Sequence, residues 1–170
     1  MKYVVFIPIF VLFFVVKTNA QVASSDYPAL ISNISRNIQS VLSACSEAAP
    51  IVNDIASVNN YILNKSKALP GQAVVARMKA AIEQSERQVN AFISLNKTDE
   101  NSNLKKLHDE LNAASTEIQF TYSCIINITT AENSDQIKYF CEKLIRSLDE
   151  IKLLIGEASQ YVSLEIQKDQ

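Results

Sequence analysis

The sequence predicts an all-α protein, an antiparallel up-down four-helix bundle, on three observations. Apolar residues recur at steps of three and four along four long segments. The 170 residues include only two glycines and four prolines, too few for a protein of many short strands and turns. The connections between the apolar segments are short, so neighbouring helices should pack with alternating direction.

The first 20 residues stand outside the predicted bundle. Lys2 supplies a positive start, and "YVVFIPIFVLFFVV" (3–16) is an apolar run of 14. Thr18 and Ala20 then place small residues where a signal peptidase cuts, before Gln21. A membrane-spanning helix needs about 20 apolar residues, so the run reads as a cleaved signal peptide rather than an anchor. The expected mature chain, 21–170, is a single secreted domain, with no membrane association after cleavage. Loss of Lys2 and Lys17 leaves 14 basic against 18 acidic side chains, a charge near −4. Mild acidity without a basic cluster argues against nucleic acid and anionic membranes as partners.

The first helix is predicted over about 28–66. Its stripe runs Ile34, Ile38, Val41, Cys45, Ala48, Val52, Ile55, Asn59 and Ile62, a heptad seam of the coiled-coil kind with one polar position. Pro50 interrupts that run, but the phase survives across it. The reading is one long helix kinked near Ala48–Pro50, with a five-helix variant if the chain breaks there. "LPG" (69–71) is read as the turn that ends it. The second helix, about 72–95, carries Val75, Met78, Ile82, Ser85, Val89 and Phe92 on one side. "NKTDENSN" (96–103) separates it from the third, about 103–126, with Leu104, Leu107, Leu111, Ala114, Ile118, Thr121 and Ile125. The last stripe is Ile137, Cys141, Leu144, Leu148, Ile151, Ile155, Ala158 and Val162.

Four N-x-[ST] motifs begin at Asn33, Asn64, Asn96 and Asn127, against about two expected by chance. Their even spacing suggests a repeat, but the apolar patterns of 78–93 and 107–122 overlay at a shift of 29, out of step with it. No duplicated unit is read. In a eukaryotic secretory route the four asparagines are candidates for glycans on exposed turns.

Three cysteines occur. Cys124 and Cys141 flank "IINITTAENSD" (125–135), read as a polar turn between the last two helices. At a rise of about 1.5 Å per residue both fall near that turn, so a Cys124–Cys141 disulfide is expected, and Cys45 is left as a buried free thiol. The bridge depends on which residue caps the last helix. Ser134 would bring the cysteines level, whereas the "TTAE" box at Thr129 would separate them.

No catalytic, cofactor or metal constellation is legible. His108, the only histidine, is read as solvated surface on a polar flank beside Asp109 and Glu110. The carboxylates of "SLDE" (147–150) and "EIQF" (117–120) read as ordinary surface charges. Asn59, Ser85 and Thr121, inside the stripes, are expected to fix register or to bond the preceding turn. The expected function is therefore non-enzymatic: an extracellular, N-glycosylated bundle that binds another protein or a glycan. The alternative is a carrier holding a small apolar ligand between its helices, suggested by the Ala-rich, aromatic-poor seams.

Overall fold

The computed structural model describes residues 27–57, 61–96, 98–99 and 102–168. They form four α-helices and, among the described residues, no strand: α1 Tyr27–Ser57, α2 Tyr61–Asn96, α3 Asn103–Thr130 and α4 Ser134–Lys168. The predicted signal segment 1–20 lies outside the described residues, as do Asn59 and the side chains of Ile62 and Asn64.

Each stripe is buried where it is described. α1 buries Ile34 through Ile55 in the predicted phase. The α2 stripe begins earlier than the sequence suggests, since Ala68 and Gly71 are buried ahead of Val75. α3 and α4 bury every predicted position and add Ile128 and Glu165. Ile55, Ile82, Ile118 and Ile151 all lie in one hydrophobic core. Each such side chain contributes roughly 1.5–3 kcal/mol relative to exposure. α1 packs on α2, α2 on α3, α3 on α4, and α4 closes back on α1, while α2 hardly meets α4. The result is a helical bundle with its core on a shared axis.

The turn is not where the sequence places it. α1 ends at Ser57 and α2 begins at Tyr61, so Pro70 and Gly71 sit inside α2, and Pro50 sits inside an unbroken α1. The five-helix variant does not form. Both prolines are exposed, and so are Ser46 and Ser66, whose carbonyls lose their i+4 donors. Those carbonyls are therefore turned toward water, which removes most of the penalty a proline carries in a buried turn. Each serine also bonds back along its helix, Ser46 Oγ to the Leu42 carbonyl at 3.1 Å and Ser66 Oγ to that of Leu63 at 2.8 Å. Gly71 is buried and closely packed. A Cβ there would lie 3.3 Å from Ile125 Cδ1 and 3.6 Å from Ile51 Cγ2.

"IINITTAENSD" is mostly helix, and only Ala131–Asn133 separate α3 from α4. Thr129 and Thr130 bond back into α3, at the Ile126 and Asn127 carbonyls, instead of opening a capping box. Asn133 takes the cap: its Oδ1 accepts from the Gln136 amide at 3.0 Å, and Gln136 Oε1 accepts from the Glu132 amide at 2.8 Å. These two bonds satisfy amides that a helix start leaves open. Ser102 does the same for α3, accepting from Lys105 N at 3.2 Å.

The two glycines should respond oppositely to substitution. A Cβ at Gly156 meets nothing within 4 Å, so Gly156→Ala should stabilise by about 0.5–1 kcal/mol through helix propensity. Gly71→Leu should destabilise by about 1–3 kcal/mol through overpacking. Urea unfolding midpoints at unchanged slope measure both.

Candidate functional site

Two polar clips lie between the helices. Ser85 Oγ donates to the Ala81 carbonyl at 3.0 Å and accepts from Asn37 Nδ2 at 3.0 Å, tying α2 to α1. Thr121 Oγ1 donates to the Glu117 carbonyl at 3.0 Å and lies 2.5 Å from Ser147 Oγ, tying α3 to α4. Ser147 Oγ also donates to the Glu117 carboxylate. Ser85 and Thr121 therefore bond the preceding turn and hold register, as their stripe positions predict. Glu117 is not the plain surface charge its sequence context suggests. His108 is likewise half-buried, its side chain 17 % exposed, with Nδ1 3.6 Å from Asp109 Oδ1. Across the same helix pair, burial and then the neighbouring Glu157 and Asp109 push the Glu110 carboxyl up.

The ends of α1 and α4 meet at a third cluster. Glu165 is 5 % exposed, and its carboxylate accepts from the Tyr27 hydroxyl and, at 2.6 Å, from Lys168 Nζ. Burial works to raise this carboxyl, but hydrogen bonds from Lys168, Tyr27 and Asn103, with the Lys168 charge, hold it below its ordinary 4.5. Tyr27 in turn stacks on Phe92 of α2, centroids 5.0 Å apart at 40°. The sequence carries a signal for this latch: the α4 stripe, continued by three from Val162, lands on Glu165.

Beside the latch is a depression of about 520 Å³ whose wall includes Tyr27, Phe92, Asn96, Thr98 and Leu104. A second, of about 560 Å³, lies where α3 passes into α4, between Asn127, Thr130, Gln136, Tyr139 and Phe140. Both are shallow and open to solvent rather than enclosed. Among the described residues, no three His, Cys, Asp or Glu side chains gather as a metal ion needs. No described helix is long and apolar enough to cross a membrane.

The predicted Cys124–Cys141 bridge is not formed. Cys45, Cys124 and Cys141 are all buried free thiols. Neither expected cap is used: Asn133 caps α4, one residue before Ser134, and Thr129 stays inside α3. Cys141 stands in the α4 seam with Ile137 and Leu144, while Cys124 precedes the α3 seam residue Ile125 and so occupies the neighbouring row. Helices about 8–10 Å apart bring Cα atoms within the roughly 4.4–6.8 Å a disulfide needs only where both residues face the line of closest approach. Burial raises all three thiols: Cys45 to about 11, with Asp149 raising and Lys152 lowering it, Cys141 to about 11, and Cys124 upward, where Glu117 adds to the effect.

The predicted glycan positions divide. Asn33 and Asn127 are exposed but lie within α1 and α3 rather than on turns. Asn96 closes α2, its Nδ2 donating to the Phe92 carbonyl at 2.9 Å. Asn64 falls within α2, its side chain outside the description. Compared with protein families, curated proteins and solved structures, the chain matches none.

Two outcomes follow from these arrangements. Thiol titration at pH 8 should find no fast-reacting cysteine in the folded protein and three after denaturation, with no change on prior reduction. The latch should weaken in acid. Its carboxyl titrates below the unfolded value of 4.5, so its stabilisation is present above that pH and lost as pH falls through the folded value. Tyr27→Phe should therefore cost about 1.5–3 kcal/mol at pH 7, and the difference from wild type should shrink as the pH is lowered past 4.5.

Proposed function

We propose that this is an exported, N-glycosylated, non-enzymatic helical bundle that works by binding another extracellular macromolecule through the outer face of α3. Export rests on the leader, residues 1–20, with its apolar core and small residues before Gln21. The fold reading beneath it is an antiparallel up-down bundle with α1 bent at Pro50. The antiparallel course of α1 and α2 is supported by the order of their cross-helix pairs: Asn37 with Ser85, Glu47 with Arg77, and Asp54 with Lys67, where α2 numbers fall as α1 numbers rise.

The observation that carries the binding reading is that α3 itself places no charge on one exposed strip, although Lys79 of α2 donates to Gln119 Oε1 at its edge at 3.2 Å. From Asn112 to Thr130 the only charged residue is Glu117, and it is turned toward Ser147. What faces water is Asn112, Thr116, Gln119, Ser123 and Asn127, with Phe120 46 % exposed and Ile126 beside them. α4 by contrast presents Lys138, Glu142, Arg146, Asp149 and Glu150 to solvent. Loss of charge with a projecting aromatic is the composition of an interface centre. The partner it suits is a protein surface of matching neutral polarity.

Two measurements separate the readings. In affinity capture from the fluid into which the protein is exported, Phe120→Glu should lower recovery of its partner at least tenfold. Leu153→Glu, at an exposed apolar residue of α4, should leave it unchanged, and both variants should melt like wild type. Equal recovery with both would contradict the α3 face. Native mass spectrometry of the gently purified protein should give the bare glycoprotein mass, whereas a retained lipid-sized mass would favour the carrier.

A further inference from the structure

Both depressions described above share a composition that the bundle does not require. Each has a sequon asparagine in its wall, and each has a pair of aromatic rings beside that asparagine. At the α3–α4 turn these are Asn127 with Tyr139 and Phe140. At the opposite end of the bundle they are Asn96 and Phe92 of α2 with Tyr27 of α1, and there Thr98, the hydroxyl residue of the sequon, lines the wall as well. Asn33 lines neither.

The site at Asn127 is the more open. Tyr139 is 55 % exposed. Its ring meets the adjacent Phe140 edge-on, centroids 5.3 Å apart at 73°, and Lys143 Nζ of the next turn lies 5.5 Å from its centroid. A ring held this way is a preformed platform, apolar on its face and wet at its edge. Glu132 and Asp135 stand at the same rim and supply carboxylate acceptors. A neutral sugar fits such a wall: its C–H face lies on the ring while its hydroxyls donate to the carboxylates. An anionic ligand would meet two like charges.

We infer that Asn127 carries an N-linked glycan whose first N-acetylglucosamine lies in this depression against Tyr139, so that the sugar is part of the packed surface. The inference rests on the export reading proposed above. The sugar arrives before the helix forms, because the sequon must be extended to react. The Asn127 amide nitrogen attacks C1 of a lipid-linked oligosaccharide diphosphate. A C1–N bond forms, the C1–O bond to phosphate breaks, the electron pair leaves with the lipid diphosphate, and the nitrogen loses one proton to a base. On folding, the side chain delivers the sugar toward α4, which leaves the Phe120 end of the strip uncovered.

The test uses the full chain made in a eukaryotic secretory cell, with glycans trimmed to one N-acetylglucosamine. Glycopeptide mass spectrometry should find Asn127 occupied. The trimmed protein should melt roughly 2–4 °C above Asn127→Gln, and in a Tyr139→Ser background that gap should close. The acetamido methyl signal should show a ring-current shift that Tyr139→Ser abolishes. Asn33→Gln should show no such coupling to Tyr139. Occupancy with an undiminished gap and no ring-current shift would overturn the docking while leaving export intact. Secretion with Asn127 bare would overturn the site. Retention of an unglycosylated chain inside the cell would overturn the export reading and the site with it.

Discussion

Four amphipathic helices of about thirty residues share one apolar axis, and none of them can bury its stripe alone. That mutual dependence sets the rest of the molecule. Isoleucine, leucine and valine fill most of the shared core, and alanine or cysteine occupies the tighter places. With no tryptophan and with Phe92, at the core's edge, the only buried phenylalanine described, packing rests on many modest side chains rather than a few large ones. Such a core tolerates a small residue such as Gly71 only where Ile125 and Ile51 close over it.

Polar groups inside an apolar core must find partners, and here the partners lie on adjacent helices. Ser85 with Asn37 fixes α2 on α1, and Thr121 with Ser147 and Glu117 fixes α4 on α3. These clips add specificity more than stability, since an apolar pair would slide along the seam at little cost while a misplaced hydroxyl would be left unbonded. At the bundle's end the Tyr27–Glu165 contact joins the start of the first helix to the close of the last. These buried polar groups are bonded between helices, and the cysteines in the core are shielded thiols. On the function proposed above, recognition falls to the outside, to the neutral strip on α3.

The stripes were legible because helical geometry forces a step of three or four, so Ile34 to Ile55 and Ile137 to Val162 stand in the sequence almost as they stand in the core. The turn was not. Pro70–Gly71 has the composition of a break, but what a proline costs depends on whether its ring and the orphaned carbonyl face water, a fact about the neighbouring helices. The disulfide failed for a related reason: sequence spacing fixes how far along a helix a cysteine lies, and packing fixes which row it faces. Glu165 was within reach, one step past Val162. The depression beside the latch was not, because helix ends far apart in sequence build its wall and no local window contains Tyr27 with Phe92; the other is built from residues 127–140 alone, but that Tyr139 stands beside Asn127 depends on how α3 and α4 pack.

Native-state hydrogen exchange tests the shared axis most directly. If the four stripes form one core, amides at Val52, Ile82, Ile118 and Ile151 should open only together, with one free energy and one denaturant dependence equal to those of global unfolding. Opening of α1 and α2 at a lower free energy, with α3 and α4 still protected, would mean two separate hairpins and would contradict the account.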